Sequence, residues 1–189
     1  MATDYRWDNE ALKKRVQDIV SRKEYDEFAD LREYPPAMNV GTVFYSSKEA
    51  FADAVKKKLG GQPVSIKKAS DWVQSLTRTE DKPGVEFVIL VDEAILAGYS
   101  KEAQVGLFHR VLSFLKLQGK VDKDTGEWSP TTDNGRPIYK IDKPEAQSKD
   151  TIRRFGAIDA GSAEFVSAAQ DTARGQTRIK WEAEIPADL

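Results

Sequence analysis

The sequence has no cysteine and a single histidine, His109. The absence of cysteine excludes disulfide bonds, zinc–thiolate sites and cysteine nucleophiles. With one histidine, no metal site built from several imidazoles can form, and a Ser-His-Asp relay would have to use His109. Composition therefore removes several large classes of enzyme and metal-binding domain before any motif is considered.

An excess of charge of either sign is also missing. The chain carries 29 Lys and Arg against 31 Asp and Glu, for a formal net charge of -2. A strongly basic nucleic-acid binder is therefore not expected, because its positive field would dominate its association. The same balance argues against an acidic mimic of nucleic acid, unless the charges are segregated by face.

Long hydrophobic runs are absent too. No stretch approaches the roughly 20 apolar residues that span a bilayer, and the first residues lack the apolar core of a secretion signal. We expect a soluble, cytoplasmic protein that does not associate with membranes. At 189 residues the chain is long enough to bury a core without covalent staples.

The pattern divides into an N-terminal helical extension, residues 1–36, and an α+β domain, residues 37–189. Apolar residues recur at helical spacing over 8–33. Tyr34-Pro35-Pro36 ends this segment, because proline removes a backbone donor and disfavours helix in the residue before it. We expect the extension either to cap the domain or to mediate self-association into a homo-oligomer.

The domain is predicted to combine short strands with helices. The nearly continuous apolar run at 85–91 is typical of a central strand. Ser100 caps a helix predicted over 101–117, which is apolar on much of its circumference. The other predicted elements are strands at 40–45 and 63–66, helices at 46–59 and 69–76, a β-hairpin or extended excursion at 121–141, a closing helix at 159–173 and a final strand at 178–185. The fold class is therefore α+β, a small mixed sheet packed against a central buried helix.

The order of the central elements resembles a known family. The strand Glu86–Val91 is followed by a short acidic connection, then by a helix that begins at Ser100 and contains Leu107-Phe108-His109. Roughly residues 85–175 resemble the phage metallopeptidase family, whose central helix carries His-Glu-x-x-His. The resemblance implies a zincin-like minimal core and a phage or prophage origin.

The metal chemistry of that family depends on residues that this chain has largely replaced. Two histidines four residues apart hold Zn²⁺, and the glutamate between them deprotonates metal-bound water. Carried over, the first histidine is His109, Arg110 stands at the glutamate position and Ser113 at the second histidine position. A guanidinium cannot act as a general base. The resemblance therefore implies a degenerate member with no catalytic residue, metal or cofactor, in which Glu164 is a weak candidate for a third ligand.

Single residues near this region have simpler interpretations as well. His109 is expected to be half-buried with one hydrogen bond. Asp92 and Glu93 follow the central strand and are either active-site carboxylates or, as we favour, acids that complement a helix dipole. The stretch 122–126 is expected to form a hairpin turn, because its glycine is misplaced for a calcium loop.

Together these patterns predict a non-catalytic protein that binds a host protein and inhibits or redirects it. Aromatic side chains in terminal or weakly patterned segments are favoured interface anchors. The candidate anchors are Trp7, Trp72, Trp128 and Trp181. One alternative is a metal-dependent hydrolase with relocated ligands: His109, Glu164 and Asp159. The other is a nucleic-acid-binding protein that uses basic helix ends, such as Lys56-Lys57-Lys58 and Arg153-Arg154.

Overall fold

The computed structural model describes residues 3–6, 9–45, 47–58, 63–80, 82–142, 149–156 and 158. The helices are α1 (Glu10–Ser21), α2 (Ala29–Glu33), α3 (Lys48–Lys58), α4 (Asp71–Thr77), α5 (Glu93–Leu96), α6 (Lys101–Leu112) and α7 (Lys149–Phe155), with a 3₁₀ turn at Asp26–Phe28. The strands are β1 (Thr3–Arg6), β2 (Met38–Tyr45), β3 (Val64–Lys68), β4 (Phe87–Val91), β5 (Leu115–Leu117), β6 (Lys120–Val121), β7 (Trp128–Ser129) and β8 (Tyr139–Ile141). The predicted α+β class is confirmed. None of the described helices is long and apolar enough to span a bilayer.

The central sheet has four strands in the order β1-β2-β4-β3. The inner strands β2 and β4 run parallel, with Val40 opposite Ile89. On the far side of β4, the antiparallel strand β3 adds Ile66 to the same row. β1 pairs antiparallel with β2 at the other edge. The sheet is therefore mixed, as the sequence predicts.

One face of this sheet packs against α6 and α1. Val40, Ile66 and Ile89 are each at most 1% exposed, and they join Leu107 and Phe108 of α6 in one hydrophobic cluster. Burying a side chain of this kind contributes about 1.5–3 kcal/mol. The contact between α6 and the sheet therefore stabilises the fold, and the predicted central buried helix is confirmed.

The opposite face of the sheet carries two less buried helices. Tyr45, at the end of β2, meets Phe51 of α3 edge-on, with ring centroids 5.5 Å apart. Val88 of β4 lines a groove together with side chains of α4, a helix in which no residue is buried. This face is thus only partly covered.

The N-terminal helices belong to the same hydrophobic cluster as the sheet. Val16 and Ile19 of α1, Phe28 of the 3₁₀ turn and Leu31 of α2 are all buried in it. These helices therefore cap the sheet, which is one of the two roles considered for the extension. The boundary after residue 36 stays a prediction.

Several elements differ from the sequence-based expectation, and one is strand β1 at Thr3–Arg6, which lies within the extension predicted to be helical. The helix predicted over 101–117 ends at Leu112, because β5 leaves to pair with β8; the Ser113 hydroxyl, just after the helix, donates to the Arg110 carbonyl oxygen at 2.7 Å. The segment 149–155, for which no helix was predicted, forms α7. The excursion predicted at 121–141 contains the strands β7 and β8. β7 pairs antiparallel with β6, and β8 pairs antiparallel with β5, which precedes the excursion. The predicted elements at 159–173 and 178–185 lie outside the described residues.

α7 packs closely on α6 at one small residue. A Cβ added to Gly106 would lie 3.0 Å from the Ile158 side chain and 3.2 Å from Phe155 Cβ. The two helices can approach at this point because Gly106 has no side chain. The close approach brings α7 beside His109.

Candidate functional site

His109 lies entirely inside the protein, with both ring nitrogens engaged. It is 0% exposed; its Nε2 is 2.7 Å from Glu27 Oε1 and its Nδ1 is 3.0 Å from the Thr151 hydroxyl. Because an ionised carboxylate only accepts, Nε2 carries the hydrogen of the first contact. The expectation of a half-buried histidine with one hydrogen bond was wrong, because its partners come from segments 82 and 42 residues away.

Aromatic rings enclose the same imidazole. The ring centroids of Tyr25, Phe28 and Phe155 lie 5.0, 4.8 and 5.2 Å from that of His109. Edge-on and tilted arrangements at these separations are the favourable ones for aromatic pairs. His109 therefore acts as a core side chain that also satisfies two polar neighbours.

Glu27 links this histidine to α7. Arg154 donates from Nε to Oε1 and from Nη2 to Oε2, each at 2.8 Å. Burial by itself would raise the pKa of Glu27. The hydrogen bonds from Arg154, from the Glu27 backbone and from His109 outweigh burial and lower that pKa from its ordinary 4.5 to about 2. An ionised carboxylate therefore holds the 3₁₀ turn, α6 and α7 together.

The other described residues of the predicted vestigial metal site lie on α6 or directly after it. Arg110, on α6, is 1% exposed, and Ser113, which directly follows α6, is 8% exposed. Glu164 and Asp159 lie outside the described residues. In the described part of the chain, no group of three or more His, Asp or Glu side chains could hold a metal ion. A metal on His109 would also have to displace Glu27 or Thr151.

The two carboxylates after β4 serve contacts between elements. Asp92 is 1% exposed, caps α5 and accepts a hydrogen bond from the Tyr45 hydroxyl. Glu93 Oε1 accepts from Asn9 Nδ2 at 2.5 Å and from the Thr42 hydroxyl at 3.1 Å. These bonds join the start of α1 to the ends of the two parallel strands. Asp92 and Glu93 thus have structural roles at the point where the strands end.

Of the four candidate tryptophans, Trp7 and Trp181 lie outside the described residues. Trp128 is 55% exposed, yet its indole N–H donates to the Gln118 carbonyl oxygen at 3.3 Å. Its ring lies over Gly119, where an added Cβ would overlap the indole. Trp128 therefore closes its own hairpin, which explains its position without a partner.

Trp72 has a different setting. It is 71% exposed on α4, and Leu76, one turn later, is 64% exposed. With Val73, Val85 and Val88 these side chains line an apolar groove of about 170 Å³ between α4 and the sheet. Trp72 was predicted from the sequence as an interface anchor, whereas Leu76 was not. Their spacing of four residues places both side chains on one helix face.

No known protein family, curated protein or solved structure matches the chain. The resemblance to the phage metallopeptidase family and the zincin-like arrangement therefore stay predictions. The features of the described residues that bear on function are the buried cluster around His109 and the apolar groove beside Trp72.

Proposed function

We propose that the chain is a non-catalytic protein-binding domain whose contact surface is centred on Trp72 and Leu76. The observation that carries this proposal is the exposure of both side chains, 71% and 64%, around one apolar groove. Clustered exposed apolar groups on a folded protein typically mark an interaction surface. Tryptophan is also among the residues enriched in interface hot spots.

The buried cluster around His109 supports the non-catalytic part of the proposal. An imidazole that serves as a base or a ligand needs a nitrogen that substrate or metal can reach. Here Glu27 and Thr151 occupy both nitrogens inside the core. The ring is therefore placed to stabilise the fold.

The size of the Trp72 contribution can be bounded. A tryptophan that is 71% exposed offers roughly 150 Å² of surface to a partner, which corresponds to about 4 kcal/mol before ordering costs. Truncation to alanine at a hot spot typically costs about 2–4 kcal/mol. We therefore expect Trp72→Ala to weaken partner binding by about 30-fold or more.

The class of the partner, a host protein, rests on the resemblance alone. We extend the proposal to a phage- or prophage-type protein, acting in the host cytoplasm on a degenerate metallopeptidase scaffold, that inhibits or redirects a host protein. The nucleic-acid alternative has less support, because Arg154, one of the basic residues that it would use, is held by Glu27.

The test is partner capture from host lysate with matched variants. The unaltered chain, Trp72→Ala and Leu76→Ala are compared with Lys123→Gln, which changes an exposed residue in the hairpin region. The proposal expects a defined partner with the unaltered chain and with Lys123→Gln, and its loss with both groove variants. Equal capture by all four, with each variant folded by circular dichroism, would reject it.

A further inference from the structure

A second, charged cleft lies beside the apolar groove at Trp72. The cleft has a volume of about 1050 Å³ and lies between the loop after α4 and the hairpin tip at 134–137. Three chain segments line both spaces, through the neighbouring pairs Ala37 and Asn39, Thr77 and Arg78, and Val85 and Glu86. The two spaces therefore lie side by side along these segments, one apolar and one charged.

Three cationic side chains line the charged end: Arg78, Lys82 and Arg136. The backbone that presents them is held in place. Thr79 and Lys82 form a closed turn, in which the Thr79 N–H donates to the Lys82 carbonyl oxygen and the Lys82 N–H donates to the Thr79 hydroxyl, both at 3.1 Å. The Arg136 N–H donates to the Thr132 hydroxyl at 3.2 Å, and its carbonyl oxygen accepts from the Thr132 N–H at 2.7 Å.

Two carboxylates, Glu80 and Glu86, line the same cleft and offset part of this charge. Burial raises the pKa of Glu86, and the nearby charges of Arg136 and Lys68 oppose that rise only in part. Among the described residues that line the cleft, three side chains are cationic and two are acidic, so positive charge is in excess by one. The cleft is complementary to negative charge.

The apolar end matches one large side chain in size. Its volume of about 170 Å³ is close to that of an engineered apolar cavity that accepts a benzene ring, about 150 Å³. An extended peptide rises by about 3.3 Å per residue, so the residues that follow an anchor in the groove can run along the chain segments that line both spaces.

We propose that the apolar groove and the neighbouring charged cleft together bind an acidic segment of a protein partner, with one large apolar side chain beside Trp72 and Leu76 and carboxylates beside Arg78, Lys82 and Arg136. The inference rests on the proposed function, since it specifies the chemistry of the partner at the same surface. It distinguishes this surface from a purely apolar one, for which charge would be irrelevant.

The test measures direct binding of a defined probe. A fluorescein-labelled peptide Gly-Ser-Asp-Glu-Leu-Phe-Asp-Glu-amide is titrated with the full chain and followed by fluorescence anisotropy. Two control peptides replace the four acids by Asn and Gln, or the Leu-Phe pair by Ala-Ala. The protein variants are Trp72→Ala, the double variant Arg78→Gln/Arg136→Gln, and Lys123→Gln as a matched loss of one exposed cation away from the groove.

We expect saturable binding of the acidic peptide and at least tenfold weaker binding of both control peptides. The Arg78→Gln/Arg136→Gln variant should raise Kd about tenfold, equivalent to about 1.4 kcal/mol, and binding should weaken with added salt. Trp72→Ala should also raise Kd, and Lys123→Gln should leave it unchanged. Absence of saturable binding, equal binding of the neutral peptide, or no effect of the double arginine variant would each overturn the inference.

These results separate the two proposals. If Trp72→Ala abolishes partner capture but the acidic peptide does not bind, the proposed function stands and the acidic chemistry is wrong. If the peptide binds as expected but the groove variants capture the partner normally, the groove is real and the proposed function is wrong.

Discussion

The substitution Glu27→Gln isolates the charge that ties the 3₁₀ turn, α6 and α7 together. Glutamine keeps the size of the side chain but removes the negative charge that Arg154 and His109 contact at this position. Hydrogen bonds to charged groups contribute about 1.5–3 kcal/mol each, and Glu27 accepts two from Arg154 and one from His109. We expect a loss of about 3 kcal/mol of folding free energy at neutral pH, a large part of the 5–15 kcal/mol that stabilises a typical domain.

The pH dependence of that loss follows from the pKa of Glu27, lowered from its ordinary 4.5 to about 2. One pKa unit corresponds to about 1.4 kcal/mol, so the shift amounts to about 3 kcal/mol. Because the pKa is lower in the folded state, this stability is fully present above pH 4.5 and is lost as the pH falls toward 2. Roughly half of it should be gone at pH 3.

Urea unfolding followed by circular dichroism measures the effect, at pH 6 and at intervals down to pH 3. The difference between the unaltered chain and Glu27→Gln should shrink by roughly half over that range. Glu24→Gln, an exposed glutamate in the same segment, is the control and should change stability by less than about 0.5 kcal/mol. A difference that stays constant with pH, or Glu27→Gln as stable as the control, would refute the reasoning.

Three further results are expected. Thr151→Val keeps the buried volume but removes the hydroxyl beside His109 Nδ1, so it should cost about 1 kcal/mol in urea unfolding, and an unchanged midpoint would contradict this contact. Gly84→Ala would drive a Cβ into the Gln74 carbonyl oxygen and should lower stability by about 1–3 kcal/mol, whereas Gly98→Ala, whose Cβ would lie 3.4 Å from the Ile95 carbonyl oxygen, should not. Elemental analysis of protein purified without an affinity tag or chelator should find zinc well below one atom per chain, and a stoichiometric content would restore the hydrolase alternative.

The fold was predictable where a local pattern alone decides the structure. The apolar run at 85–91 produced β4, and the stripe after Ser100 produced α6, because a buried strand and a buried helix leave periodic signals in their own residues. The end of α6 was not predictable in this way. Phe114 and Leu115 continue the apolar pattern, and only the pairing of β5 with β8, about 25 residues later, draws the chain out of the helix.

The candidate site, too, was predictable from local sequence patterns only in part. Trp72 could be selected because tryptophan in a weakly patterned segment is unusual, and the structure leaves it exposed. Trp128 gave the same signal, but its indole bonds to Gln118 and lies over Gly119, a contact set by the hairpin. The groove residues Val85 and Val88 meet Trp72 through the sheet, so no spacing in the sequence relates them.

His109 was the residue on which the resemblance to metallopeptidases depended most, and packing gives an independent reason for a histidine there. The position needs a flat ring among three aromatic side chains, a donor toward the Glu27 carboxylate and a polar atom facing the Thr151 hydroxyl. Phenylalanine would fill the space but leave Glu27 and Thr151 without this partner, and an amide side chain would lose the aromatic contacts. Imidazole meets all three demands at once. Packing and hydrogen bonding are therefore sufficient to explain a histidine at position 109.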